Sequence, residues 1–554
     1  PGPHAPASST YQSVPAEGEG RMGQHSGAGE SRENERREGG TRHGESGEGE
    51  RTAGERTAAE RTAAERRAVA RWRDIAGADA VADDEAALAA VSRNTSAFRP
   101  RRVVAVLRPS DAAQVAAIVR VAREEKVPLH PYSTGFNWGL GSRLPVRDGC
   151  ALLDLSRMDR VREVDPAGRY AIVEPGVTQL QLADHLAAHH PDLVANVTGS
   201  SPHSSVVGNL LERGTGFRRH RAEEVRGLEV VLGTGQPMRT GLWAGEGSRQ
   251  LHHYPYGVGP RLDGLFVQSG LGVVTAAVVD LLPRQECLRL LVFTLSEAAL
   301  PGVVDAVREL FLRGTLRSIV HVFNDKRVLA MAGGGRVPTW TGAVAVDGTA
   351  EQVALAVADA RRTLTAAGAS PRVLAEADAA APGADPVVTA LWDVHTGRPT
   401  TAFLHGLYQS VPGKETPADP DVLDGTSVGY LACMPVAAVD GRTVAELVAL
   451  VEKTCAEHGL VPAIAVNPTG PDYLESVVNL YFDRDDPAQE EAARACNTAL
   501  HRRLYEDGFR FYRVGVETME ALTGWDTAPW ETIGLLKAAL DPDGILSPGR
   551  YAPL

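Results

Sequence analysis

The residues of this chain best placed to do chemistry form a glycine-rich run, Tyr132-Ser133-Thr134-Gly135-Phe136-Asn137-Trp138-Gly139-Leu140-Gly141-Ser142. Its reagents are main-chain amides. Glycines let successive N–H groups turn into one concavity, and such a nest holds a phosphate without a lysine. The run lacks the Gly-Lys-Ser/Thr ending of a nucleoside-triphosphate cradle. A strand-like stretch, residues 151–155, follows it where a dinucleotide-binding Gly-x-Gly-x-x-Gly turn would open a helix. The specific reading is a diphosphate gripped by loop amides between strands; an ordinary glycine turn is the plain alternative.

Such a loop needs rigid elements on both sides. Val103–Leu107 reads as a strand. From Asp111, the apolar positions Val115, Ile118, Val119 and Ala122 follow the spacing of an amphipathic helix. Residues 127–131 return as a second strand, giving strand–helix–strand–loop. From about 71 to 285 strands and short helices alternate with frequent turns. From about 286 to 500 two similar strand–helix–strand blocks appear, one through 288–293, 303–312 and 318–323, the other through 429–435, 444–458 and 462–466. A further strand at 477–482 and another helix follow. This pattern predicts an antiparallel sheet covered by helices. Residues 380–420, rich in Pro, Gly and Asp, read as an irregular surface excursion. The last segment, 501–554, carries aromatic and glycine-rich motifs unlike a simple helical end.

Residues 1–70 read as a disordered low-complexity tail or a solvated helix of Gly, Glu, Arg, Ser and Thr, with little apolar surface to offset ordering entropy; a binding arm is the lesser alternative. A Glu-Arg pair recurs there every five residues (Glu50, Glu55, Glu60, Glu65), a period that places no continuous stripe on a helix.

The whole chain, 554 residues with 43% hydrophobic and 23% charged residues, has room for two or three domains with sizeable cores. A formal net charge of −13 argues against nucleic-acid or anionic-membrane partners. No apolar run is long enough to span a bilayer, and no secretory signal is visible, so a cytoplasmic location is expected. The five cysteines are scattered, without metal-ligand spacing. No metal site is expected, and His252, His253, His395 and His405 do not suggest one.

Beyond the loop, several short motifs recur in a telling order: Val173-Glu174-Pro175-Gly176-Val177, Val207-Gly208-Asn209-Leu210-Leu211-Glu212-Arg213-Gly214-Thr215-Gly216, Tyr256-Gly257-Val258-Gly259-Pro260, Asp263-Gly264-Leu265-Phe266, Gly272-Val273-Val274-Thr275, Tyr512-Arg513 and Asp541-Pro542-Asp543-Gly544-Ile545 through Ser547-Pro548-Gly549-Arg550-Tyr551. Each is weak alone. Together they resemble the flavoproteins of the vanillyl-alcohol oxidase and p-cresol methylhydroxylase type over roughly residues 95–554.

The resemblance implies an α+β fold: a two-part FAD-binding domain (71–285, completed by 501–554) and an α+β cap with an antiparallel sheet (286–500). It implies that Ser133, Thr134, Gly135, Phe136, Asn137 and Trp138 hold the diphosphate. Thr198, Gly199, Ser200, Ser205, Gly208 and Asn209 would wrap the ribityl chain and ring, and Gly272, Val273 and Val274 would lie along the adenine or ribityl side. Arg513, with Arg550 as a second candidate, would stabilise charge developing on the reduced flavin. Tyr512 would present its hydroxyl to substrate. For Glu212 and Arg213, an internal ion pair and a cofactor contact stand as equal readings.

The chain departs from the family at three positions. The histidine through which several members attach FAD aligns with Ser476, preceded by Glu475, so non-covalent FAD is expected. A tyrosyl linkage through nearby Tyr473 is the lesser alternative. An aspartate placed near flavin N5 aligns with Ser200, which leaves His203 as a conceivable substitute base. A loop tyrosine of the phenolate clamp aligns with Leu140. The resulting expectation is an oxidase moving a hydride from a C–H bond next to oxygen, nitrogen or an aryl ring to flavin N5. Its substrate is a small organic molecule, aromatic or a specialised metabolite; its electron acceptor is dioxygen. The alternatives are a dehydrogenase using a protein or quinone acceptor and a flavin-binding protein without chemistry. A homodimer is expected by resemblance only.

Overall fold

The computed structural model describes residues 58–553 apart from 246, 248, 250 and 333–336; most of the low-complexity tail lies outside them. Residues 58–70 are helical, part of a helix Ala58–Ala76. Its positions Ala64, Ala68 and Trp72, spaced four apart, are fully buried, and the Trp72 indole donates to the Ile118 carbonyl at 3.2 Å. The five-residue Glu-Arg repeat concealed this stripe, because alanines repeating every four residues supply a close-packing face at little side-chain cost.

The expected strand–helix–strand follows. Asp111 accepts from the Gln114 amide and opens the helix Ala112–Glu125, which ends at left-handed Lys126. Leu129–Tyr132 and Cys150–Asp154 then pair in parallel, with Val103–Leu107 on the far side of Cys150–Asp154. The glycine-rich run leaves the end of one parallel strand and reaches the start of the next by an open path. A second, antiparallel sheet orders its strands Val161–Asp165, Tyr170–Val173, Gly272–Asp280, Val225–Leu232, Pro237–Arg239.

A third sheet has eight strands in the order Ser370–Leu374, Cys287–Leu295, Trp340–Gly348, His321–Asn324, Ala463–Pro468, Tyr473–Asp483, Val428–Ala438, Arg510–Arg513, all paired antiparallel. Its two faces separate by the period of two that strands impose. Val478, Leu480 and Phe482 pack under the helices Leu300–Leu312, Ala350–Ala366, Gly441–Glu457 and Pro487–Glu506. Phe323, Ala343 and Ala465 share a core with Val173, Val206 and Phe217 of the preceding region. The fold is α+β.

Residues 380–420 are not an irregular surface excursion. They hold the helices Pro386–His395 and Ala402–Gln409, with His395, Leu404 and Tyr408 buried. The Asp and Pro that read as loop punctuation are helix-start residues: Asp385 accepts from the Val387 amide and Pro386 opens the helix.

Candidate active site

Among the described residues, no protein acceptor is found for the main-chain amides of Thr134, Gly135, Phe136, Asn137 and Trp138. Buried backbone donors in a folded protein are almost always paired, and a run of five amides without a protein acceptor suits an anion. Gly135 (φ 82°), Gly139 (φ 78°) and Gly141 (φ 111°) take conformations that side chains resist. The far end of the loop is pinned. Ser142 Oγ donates to Asp424 Oδ1 at 2.7 Å, and the Thr95 amide donates to the same oxygen at 2.9 Å. Arg143 lies 3.4 Å from the other Asp424 oxygen.

The eighteen residues to which the resemblance gives a cofactor-holding or catalytic role, those of the loop included, line one cavity. Ser205 caps the helix Val206–Leu211 by accepting from the Gly208 amide at 2.8 Å. At Gly208 an added Cβ would stand 3.0 Å from Ser133 Oγ, so the wall and the loop approach closely enough that a side chain there would press on Ser133. Gln179 sets the neighbouring turn: its Oε1 accepts from the Thr198 amide at 2.8 Å, and its Nε2 donates to the Ser201 carbonyl at 3.0 Å. Ser200 and Thr198 share a hydroxyl contact of 2.8 Å. Gly272, Val273 and Val274, on a strand of the second sheet, close another side.

Two guanidinium groups meet in the same cavity. Arg513 donates to Asn137 Oδ1 of the glycine-rich loop and lies 3.7 Å from Glu212. Arg550 pairs with the other Glu212 oxygen. Glu212 thus serves an internal ion pair, whereas Arg213 is exposed at φ 52° and has no place in the site. Tyr512 lines the cavity beside Arg513. Burial, reinforced by Glu475, pushes its hydroxyl pKa well above the ordinary tyrosine value. It therefore stays protonated at neutral pH and can donate.

The opposite wall is built from side chains that sequence reasoning passed over. Val477, Asn479 and Tyr481 alternate along one strand and face the cavity, joined by His321, Phe323, Arg327, Tyr430 and Asn467 from neighbouring elements. Phe403, Leu404 and Leu407 come from the helix Ala402–Gln409. Tyr430 donates to Asn479 Oδ1 at 3.1 Å, and Asn479 Nδ2 donates to the Tyr481 hydroxyl at 2.9 Å. Burial pushes the Tyr430 pKa up to about 12 and the His321 pKa down to about 4, so both are neutral near pH 7. The signal was present: Asn479 and Tyr481 are polar positions in the otherwise apolar run 477–482.

The three departures resolve unequally. Ser476 is buried on the helix-covered face of its strand, where its hydroxyl donates to the Ala465 carbonyl at 2.9 Å. Its neighbour Glu475 points the other way and meets His220 Nε2 at 2.8 Å and the Thr215 hydroxyl. His203 is 55% exposed and bonded to Asp421 at 2.6 Å, outside the cavity, so it is no substitute base. Leu140 is buried and lines the cavity.

FAD fits these residues. The unclaimed amides suit a diphosphate. His130 Nδ1 and Asn209 Oδ1, both in the cavity wall, are buried polar atoms without protein partners among the described residues. Such orphans need a partner of complementary polarity, which a nucleotide's hydroxyls and ring nitrogens supply. No helix among the described residues is long and apolar enough to cross a membrane.

Comparisons with known proteins agree. Residues 103–241 match the sequence profile of the FAD binding domain. The chain is 34% identical over 527 residues to 1'-carboxy-chondrochloren decarboxylase of Chondromyces crocatus, covering 87% of this chain and 96% of that protein. It is 27% identical to the flavoprotein subunit of 4-cresol dehydrogenase [hydroxylating] of Pseudomonas putida, covering 79% and 85%. Among solved structures, p-cresol methylhydroxylase with substrate bound superposes with a TM-score of 0.80 at 25% identity, over 89% of this chain and 97% of that one. The 4-ethylphenol oxidase of Gulosibacter chungangensis shares the fold with a TM-score of 0.79 at 24% identity, covering 89% and 98%. Motif order, cavity and whole-length likeness converge, and the chain belongs to the vanillyl-alcohol oxidase and p-cresol methylhydroxylase family of FAD-dependent oxidoreductases.

Proposed function

We propose that the protein oxidises a small organic substrate held between the glycine-rich loop and the sheet face carrying Asn479 and Tyr481. The observation carrying this reading is the convergence of Arg513 and Tyr512 with the unclaimed amides of residues 134–138 in one cavity. When bound, FAD supplies a two-electron acceptor that takes a hydride from a C–H bond at N5 and passes the electrons on, here to dioxygen. The protein's part is to place and polarise. The loop amides hold the diphosphate, and Arg513, tied to the loop through Asn137, sets positive charge where negative charge develops. Tyr512, kept protonated, donates to an oxygen of the substrate. No carboxylate replaces the family's aspartate at Ser200, so proton transfer there does not run through a carboxyl group.

FAD is held without a covalent bond in this proposal, because the hydroxyl of Ser476 is committed to Ala465 on the face turned from the cavity. The division into a two-part cofactor domain and a cap, and a homodimeric state, are proposed on family likeness. A second reading, substrate decarboxylation, is favoured by the relative whose name states that activity and by Arg327, a cavity guanidinium without an acidic partner among the described residues.

The test is a spectrum of the purified protein after FAD addition, then anaerobic titration with candidate substrates. Flavin bands that bleach, with peroxide formed on admitting air, are expected, and acid precipitation should leave the colour in the supernatant. A protein that stays colourless with FAD would falsify the proposal. Loss of CO2 with bleaching would select the second reading.

A further inference from the structure

Among the described residues, the guanidinium groups around the cavity are paired with carboxylates. Arg513 and Arg550 share Glu212, Arg218 meets Asp347, and fully buried Arg221 meets Glu224 at 2.8 Å. Arg327 is different. It lies in the first turn of the helix Asp325–Ala332, its amide donating to Asn324 Oδ1 at 3.0 Å, and its side chain lines the cavity. Among the described residues no carboxylate pairs with its guanidinium, whose one hydrogen-bond partner is the Tyr481 hydroxyl at 3.2 Å from Nη1.

The hydrogen bonds around it have one direction. Tyr430 donates to Asn479 Oδ1, which turns the amide so that Nδ2 donates to Tyr481. The Tyr481 oxygen therefore accepts twice, from Asn479 and from Arg327, and both its lone pairs are engaged. Its proton must point elsewhere. Around Arg327 the site offers the remaining guanidinium donors and one phenolic O–H, and among the described residues no carboxylate pairs with them. A group that only accepts, is planar and carries negative charge is the complement, and a carboxylate has all three properties.

We infer that Arg327 and Tyr481 form a carboxylate anchor, so that the substrate is an organic acid whose carboxylate binds the cap wall while its reacting carbon faces the cofactor side. This deepens the proposed function and rests on it. Arg327 is the specificity-determining residue, and Asn479 with Tyr430 positions Tyr481.

The test measures binding by calorimetry on the FAD-loaded protein, apart from turnover. The probes are benzoate, phenylacetate, 3-phenylpropanoate and 3-(4-hydroxyphenyl)propanoate, each against its own primary amide. At least one carboxylate should bind ten-fold or more tightly than its amide. Arg327→Gln should bring that ratio close to one, Arg327→Lys should restore part of it, and Tyr481→Phe should lower it by a smaller factor. If no carboxylate outbinds its amide, or Arg327→Gln keeps the preference, the anchor is overturned. If Arg327→Gln weakens FAD binding while the ratio persists, the guanidinium serves the cofactor and the inference falls. Should Arg327→Gln not fold, the wild-type ratio and Tyr481→Phe decide. Failure to load FAD would count against the proposed function alone, since the same titration can be run on the unloaded chain.

Discussion

In the proposed function the two walls of the cavity recognise their ligands by opposite means. The cofactor side works with main chain: five amides in sequence, glycines at positive φ, and a short helix whose Gly208 comes close to Ser133. The cap side works with side chains from separate stretches, Arg327, Tyr430, Asn479 and Tyr481, oriented by one another. A main-chain nest accepts any group of the right charge and size, which suits a cofactor held in common across a family. A side-chain network can change one residue at a time, which suits a substrate that differs between members. Arg513 sits at the junction. It belongs to the edge strand of the eight-stranded sheet yet donates to Asn137 of the loop.

That junction should give the largest effect. Arg513→Ala is expected to keep FAD bound but slow flavin reduction by roughly 10²–10³-fold, the scale of one lost electrostatic donor. Stopped-flow reduction with the best wild-type substrate checks it, and unchanged kinetics would assign the junction to structure only. Gly135→Val attacks the main-chain wall alone. A β-branched residue at φ 82°, with its Cβ within 2.5 Å of Arg143 Nε, strains the nest. A strain of about 1–3 kcal/mol weakens FAD by roughly 5–150-fold in fluorescence titration, with the carboxylate preference of the loaded protein intact. If both ligands weakened together, the two walls would not be separable.

The smallest effect lies outside both walls and calibrates them. His501 packs against Phe511, and its Nδ1 meets the Asn497 carbonyl at 2.8 Å. Burial pulls its pKa from the usual 6.5 down to about 4. The unfolded chain therefore binds a proton the folded chain refuses. The neutral ring's contribution is complete above about pH 6.5 and drains away as pH falls towards 4. His501→Phe should flatten the decline of Tm across that window by up to one proton's worth while leaving FAD affinity at pH 7 unchanged. An equally steep decline in the variant would show that His501 takes no part in acid unfolding.

The same contrast explains what could be read from the chain. The strand Val103–Leu107, the helix after Asp111 and the glycine-rich loop were legible because main-chain requirements leave local marks: a cap, a period, a glycine. The two strand–helix–strand blocks of the eight-stranded sheet were legible for the same reason. The helices Pro386–His395 and Ala402–Gln409 were not, because Asp, Pro and Gly serve helix ends as readily as turns. The buried stripe Ala64, Ala68, Trp72 was masked by a louder polar repeat. Arg327 and Tyr481 were illegible for a deeper reason. They stand 154 positions apart, and nothing local to either says that the other faces it, or that no carboxylate does.

The clasp between Ser142 and Asp424 spans 282 positions. During synthesis the cradle for the nucleotide is thus drafted early and locked late, after the ribosome has added most of the remaining chain. Contacts between positions so far apart in sequence form slowly. Flavin capture should accordingly be a finishing event of biogenesis, and an isolated N-terminal fragment bearing every glycine of the motif should remain a poor receptor for the coenzyme.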